Sequence, residues 1–310
     1  MGKASAAKQD AANQNSGRRG RVAAQRAAAQ RTRTRNRLLI AGGAIVVIVA
    51  VVVALVVAGG NSPAGGGSGP GTPPTGTALA SLVTTTTTVP AAVLDQVGAG
   101  QVSATPTAIT GAPLTSGGKP EMLYIGAEYC PYCAAERWAM IVALSRFGTF
   151  SGLAATHSAA KNGAGQAELY PNTSTWTFAH ASYTSKYLTF VPVETYTNIP
   201  DPSTGTYTPL QTPTAEQQAL LTKYDTAYGG AIPFLDFGNK YLSVGASYDP
   251  GILKGLTWDQ IAADLHDPAS PVAAGVNGTA NYLTAAICGL TNDQPGFACT
   301  AVVKSLRSKF

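Results

Sequence analysis

Charge is scarce in this 310-residue chain. Asp, Glu, Lys and Arg make up only 12% of it, about half the share usual in soluble globular proteins. Histidine is scarcer still, at three residues, and there are four cysteines. So few ligating side chains leave little material for a metal cluster. The net charge of +5 is also unevenly placed. Residues 1–37 hold ten Lys or Arg against one acid, Asp10, whereas residues 38–310 hold eleven bases against fifteen acids. The bulk of the chain is mildly acidic, which gives no support to a nucleic-acid-binding surface. With 45% hydrophobic residues, a wholly disordered chain is excluded.

One stretch has no charge at all. Leu38–Ala58 reads LLIAGGAIVVIVAVVVALVVA. At about 1.5 Å per residue it is long enough to cross a hydrocarbon core of about 30 Å as a helix. Arg31, Arg33, Arg35 and Arg37 abut it on one side, and no Lys or Arg follows until Lys119. The positive-inside rule then predicts a single-pass anchor in the cell membrane, with the N-terminus cytoplasmic and everything after Ala58 exported. A cleaved signal peptide is the rival. The basic preamble and the apolar run are both longer than such peptides use.

The expected organisation follows. Residues 1–37 are a disordered basic tail and 38–58 the transmembrane helix. Residues 59–88 are a Gly/Pro/Thr-rich tether, with the run Thr84–Thr88 read as a spacer or an exposed strand. Residues 89–310 form one folded domain. Within it, Met122–Ile125, Leu153–His157 and Leu188–Thr197 read as strands. Ala134–Phe147, Ala215–Tyr228, Trp258–Leu265, Ala280–Gly289 and Thr300–Arg307 read as helices, with Thr214 and Thr257 as caps. Pro233–Phe237 and Tyr241–Val244 form a hairpin about Gly238-Asn239. The polar segment 158–212 is expected to be an insertion of loop and strand.

The strongest chemical signal is Cys130-Pro131-Tyr132-Cys133 between a strand and a helix. A cysteine at a helix N-terminus meets unpaired N–H groups and the positive end of the dipole, which favour its thiolate. Pro131 suits the first turn. The spacing lets the pair close a disulfide. Cys130 is expected to be the exposed nucleophile and Cys133 the buried resolving thiol, working by thiol–disulfide exchange. A structural zinc site would want a second ligand pair with matching spacing, which is missing, so no metal and no cofactor is expected. A purely structural disulfide is the other reading. The second signal is Ile232-Pro233 at the head of an apolar strand. A cis peptide entering the strand explains a proline there, and an edge-strand proline is the alternative.

Together these two motifs resemble the thioredoxin superfamily. Ala127-Glu128-Tyr129-Cys130 is similar to the approach to its active site. Ile232-Pro233, the Gly-Asn hairpin, Gly245 and a helix are similar to its C-terminal half. The run Tyr124–Phe150, with Ala134-Ala135-Glu136-Arg137-Trp138, also resembles a membrane-anchored thioredoxin-like family of archaea and actinobacteria catalogued as a domain of unknown function. The resemblance implies a thioredoxin-like α/β fold with an insertion. It implies a cis Pro233 facing the cysteines, and contact with a substrate polypeptide through Pro131, Tyr132, Ala231, Ile232 and Pro233. Tyr124 stands where thioredoxins carry an acid, six positions before the first cysteine. Asp236, on an apolar strand, is expected to face solvent at the strand end, and a buried substitute for that acid is the alternative.

Cys288 and Cys299 frame a loop turned by Asn292, Pro295 and Gly296. A structural disulfide is expected there, and a second redox pair is the alternative. The function expected is thiol–disulfide oxidoreduction on the thiols or disulfides of exported proteins, as an oxidase or isomerase, with a quinone-linked membrane partner to reoxidise it. A reductase fed by a membrane electron donor, or a non-catalytic polypeptide-binding module, remains open.

Overall fold

The computed structural model describes residues 71–162 and 165–310. The chain divides into two compact units after Gly66, and all described residues belong to the second. The basic tail, the Leu38–Ala58 run and most of the tether lie outside the described residues. Among the described residues, no single helix is long and apolar enough to cross a membrane.

The order of folded elements begins earlier than the sequence suggests. Helix α1 spans Gly76–Thr87 and α2 spans Ala91–Val97, so the tether expected over 59–88 gives way to a helix in its second half. The threonine run is helical because its hydroxyls are satisfied locally. Thr84, Thr85, Thr86, Thr87 and Thr88 each donate to the carbonyl four residues back. Leu82 and Thr86 are buried on the domain, and that packing offsets the weak helix propensity of threonine.

A mixed, six-stranded sheet forms the centre. Its strands are β1 (Thr107–Ala108), β2 (Thr115–Ser116), β3 (Lys119–Gly126), β8 (Thr189–Glu194), β11 (Phe234–Phe237) and β12 (Tyr241–Val244). The order is β1-β12-β11-β3, and both β2 and β8 also pair with β3. Only β8 runs parallel to β3, in register from Glu121↔Thr189 to Gly126↔Glu194. The segment 158–212 is therefore not simply inserted. It supplies the one strand parallel to β3, and around it stand the hairpin partners β4 (Gly148–Ser151), β5 (Ala154–His157), β6 (Ser174–Thr177), β7 (Ser182–Ser185), β9 (Tyr196–Asp201) and β10 (Thr206–Pro209).

Helix α3 (Pro131–Ser145) follows β3 and crosses the main face of the sheet. All of its residues from Pro131 to Leu144 except Tyr132 are buried. It packs between the sheet, β6 and α6 (Gly278–Leu290). Trp138, Met140, Ile141 and Leu144 join one large core with α1, α5 (Trp258–Asp264) and α7 (Ala301–Arg307). Each such side chain contributes about 1.5–3 kcal/mol by burial. The opposite face of the sheet carries a smaller core of Leu123, Ile125, Val193, Phe234 and Leu242 against α4 (Ala215–Asp225). Capping boxes at Thr214 and Thr257 set the starts of α4 and α5. The hairpin turn falls at Gly238-Asn239, both with positive φ, the geometry a two-residue turn needs.

Candidate functional site

Cys130 is the N-cap of α3. Its sulfur accepts from the Cys133 N–H at 3.2 Å. The thiol donates to the carbonyl of Ile232 at 3.7 Å, 102 residues away. The bond after Ile232 is a cis peptide to Pro233. The two sequence motifs thus meet at one point, at the end of β3 and the head of β11. Pro131 and Pro233 are buried, Ala231 and Ile232 half-buried, and Tyr132 is 40% exposed.

The exposed nucleophile needs correction. Cys130 is only 4% exposed and Cys133 not at all, because the segment after residue 158 wraps the turn before Cys130. Tyr196 accepts from the Glu128 N–H at its carbonyl, and the Ala159 N–H donates to the Tyr129 carbonyl. Tyr207 stacks on Tyr129 with centroids 4.1 Å apart and planes 6° off parallel. Tyr170 meets Tyr132 edge-on at 6.0 Å.

Both cysteines are free thiols and their environments push them apart. Burial pushes the Cys130 thiol up. Hydrogen bonds from the Cys133 side chain and N–H, with the charge of Arg137, outweigh that and hold it below its ordinary value. Cys133 is pushed well above by burial and by sharing its proton with Cys130. One easily ionised and one reluctant thiol suit attack by Cys130, which is the more reactive as a thiolate.

Sequence reasoning missed what lies beneath. Arg137, one turn after Cys133, is fully buried and pairs with Glu194 at the end of β8. Its Nε donates to Oε1 at 2.8 Å and its Nη2 to Oε2 at 2.7 Å. Nη2 also donates to the Ala127 carbonyl at 2.7 Å. Tyr124 donates to Glu194 Oε2 at 3.4 Å. The partners are 57 residues apart in sequence, so spacing gave no sign of the pair. An Arg beside a Glu on a mostly apolar helix was the one clue.

Glu121, Glu136, Asp225 and Asp236 are further buried acids among the described residues. Glu136 is held by the Ser247 N–H and hydroxyl, both at 2.9 Å, and burial pushes its carboxyl up to about 7. Asp236, expected to face solvent, is fully buried on β11. It accepts from the Asn239 N–H at 2.6 Å, tying down the hairpin turn, and burial pushes it up to about 6. Glu121 and Lys223 are the charges that act on it.

A groove of about 480 Å³ opens beside the cis peptide, lined by Ile232, Ile125, Tyr196, Pro209, Gln211 and Leu221 among others. Cys288 and Cys299 are joined by a disulfide with Cα atoms 5.8 Å apart. The expected pairing is present.

The profile of a family described as "Domain of unknown function (DUF929)" matches residues 105–289, more than half the chain. The chain belongs to this family. The matched DUF929 segment holds both motifs, the Arg137–Glu194 pair and the groove, and ends just after Cys288. No curated protein and no solved structure matches the chain.

Proposed function

We propose that this DUF929 chain is a membrane-anchored, extracytoplasmic thiol–disulfide oxidoreductase on a thioredoxin-like fold, acting on exported proteins as an oxidase or isomerase. The observation that carries the reading is the seat of the Cys130 sulfur. It lies at a helix N-terminus, 3.2 Å from the Cys133 N–H and 3.7 Å from the carbonyl that precedes cis Pro233. A strand, a buried dithiol helix and an antiparallel hairpin headed by a cis proline support the thioredoxin-like assignment. The uncharged Leu38–Ala58 run and its flanking arginines support the anchor and its orientation.

In the oxidising direction, a substrate thiolate attacks Cys130 Sγ of the Cys130–Cys133 disulfide. The S–S bond breaks, Cys133 leaves as a thiolate and a mixed disulfide forms. A second substrate thiolate attacks the substrate sulfur of that bond, and Cys130 leaves. Two electrons pass from the substrate dithiol to the protein, and the substrate's protons go to solvent. Pro131, Tyr132 and the Ala231-Ile232-Pro233 backbone border the approach and are the proposed substrate contacts. A quinone-linked membrane protein is the proposed route by which the dithiol returns to the disulfide.

The test is a glutathione titration of the purified full chain, with the Cys130–Cys133 peptide followed by alkylation and mass. A potential of about −120 to −180 mV supports an oxidase or isomerase, and one near −270 mV marks a reductase. A pair that never equilibrates with glutathione overturns the enzymatic reading in favour of a binding module.

A further inference from the structure

We infer that Arg137, held in place by Glu194, is the cation that stabilises the sulfur anion formed at the cysteine pair, doing by charge what a buried acid in the place of Tyr124 would do by proton transfer. The inference rests on the oxidoreductase reading and assigns Arg137 as a positioning residue for it.

The geometry begins with the helix. Cys133 and Arg137 are four residues apart on α3 and so share a face. Ala127 joins the guanidinium to Cys130. Its carbonyl accepts from Arg137 Nη2 at 2.7 Å and from the Cys130 N–H at 3.3 Å. The Arg137 Nη1 is buried with no partner among the described residues, which is rare for so strong a donor. A buried cation with spare hydrogen-bonding capacity is expensive, and beneath two sulfurs it has a use.

The other groups facing the cysteines do not compete for that role. Tyr124 comes from β3, Tyr129 from the turn before Cys130 and Tyr207 from β10. Burial raises all three phenols, so each is neutral near pH 7. Glu168 acts on Tyr129 and Tyr207 from the wrapping segment. Glu136, next on the helix, turns away to Ser247. Among the described residues Glu194 is the one anion bonded to Arg137, and it offsets part of that cation's field.

Both halves of the exchange expel a cysteine thiolate, Cys133 first and Cys130 second. A leaving thiol departs faster when its anion is stabilised. Stabilising the thiolate also stabilises the reduced protein and makes the disulfide more oxidising. The two members of the ion pair therefore act in opposite senses, which a merely structural salt bridge would not do.

The experiment is the pH dependence of Cys130 alkylation by iodoacetamide, read on the Cys130 peptide of the reduced full chain, with the glutathione equilibrium constant of the same proteins. Arg137→Gln should raise the midpoint by about one pH unit, roughly tenfold less thiolate below it, and shift the equilibrium toward the disulfide. Glu194→Gln should lower the midpoint and shift the equilibrium toward the dithiol. Arg137→Lys should restore most of the wild-type midpoint. If Arg137→Gln fails to fold, Glu194→Gln and Arg137→Lys still decide the sign. Midpoints unchanged, or moved the same way by both neutralising variants, in a protein whose wild-type pair does equilibrate, would overturn the role of Arg137 alone. A wild-type pair that does not equilibrate would overturn the oxidoreductase reading first.

Discussion

The chain carries two cysteine pairs in one domain, and burial does not tell them apart. Cys130 and Cys133 are 4% and 0% exposed, Cys288 and Cys299 0% and 2%. What differs is the surrounding chemistry. The first pair opens a helix, receives backbone N–H bonds at its sulfur and lies against a buried arginine. The second joins the end of α6 to the loop before α7, where Asp293 is turned to Arg307 at 2.7 Å. A sulfur becomes reactive through what donates to it and what charge lies nearby, and becomes a brace where neither is supplied.

The sharpest way to break that comparison is to remove one member of each pair. Cys130→Ser should bring oxidative refolding of a reduced test protein to the uncatalysed rate. Cys288→Ala with Cys299→Ala should leave turnover per folded molecule unchanged. Loss of turnover in the second case would make it a redox pair too.

The next largest effect concerns the helix that links the two regions, since α3 starts at Cys130 and packs on α6, which carries Cys288. Glu136 lies in its second turn with its carboxyl raised from 4.5 to about 7. A raised acid contributes stability that is complete below the unfolded value and lost as pH climbs through the folded one. Denaturant melts should show the domain losing about 3 kcal/mol between pH 4 and 8 through this group. Glu136→Gln should remove that part of the slope.

Removing the Cys288–Cys299 bond opens the short loop it closes and should cost about 2–3 kcal/mol in the same melts. Smallest is Tyr132→Ala. It removes an exposed ring whose edge contact with Tyr170 is worth about 0.5–1.5 kcal/mol. Turnover measured with the test protein should change only a few-fold.

Much of the site was legible because its signals are local. Cys130-Pro131-Tyr132-Cys133, the proline after Ile232, the Gly238-Asn239 turn and the threonine caps each state their structure within a few residues. What escaped depends on partners far along the chain. Glu194 ends a strand inside a segment read as an insertion, and only the parallel register with β3 brings it beneath α3. Asp236 resembled a surface acid until the Asn239 N–H gave it a buried partner. The threonine helix was obscured because its hydroxyls bond to their own backbone, a satisfaction that no polarity pattern displays. Cys130 was expected to be open because a two-motif comparison carries no knowledge of the tyrosines that wrap it.

The distance in sequence between Cys130 and Ile232 bears on how the protein is made. Synthesis delivers the chain from its N-terminus, so the two cysteines emerge before Glu194 and well before the segment whose carbonyl meets Cys130. The counter-ion of Arg137 arrives 57 residues after it, and the Ile232 carbonyl 102 residues after Cys130. The Cys288–Cys299 pair, 11 residues apart, needs no such wait. A nascent chain therefore exposes Cys130 and Cys133 as ordinary thiols, open to any passing oxidant, and gives them their folded environment only when the last strands of the sheet arrive.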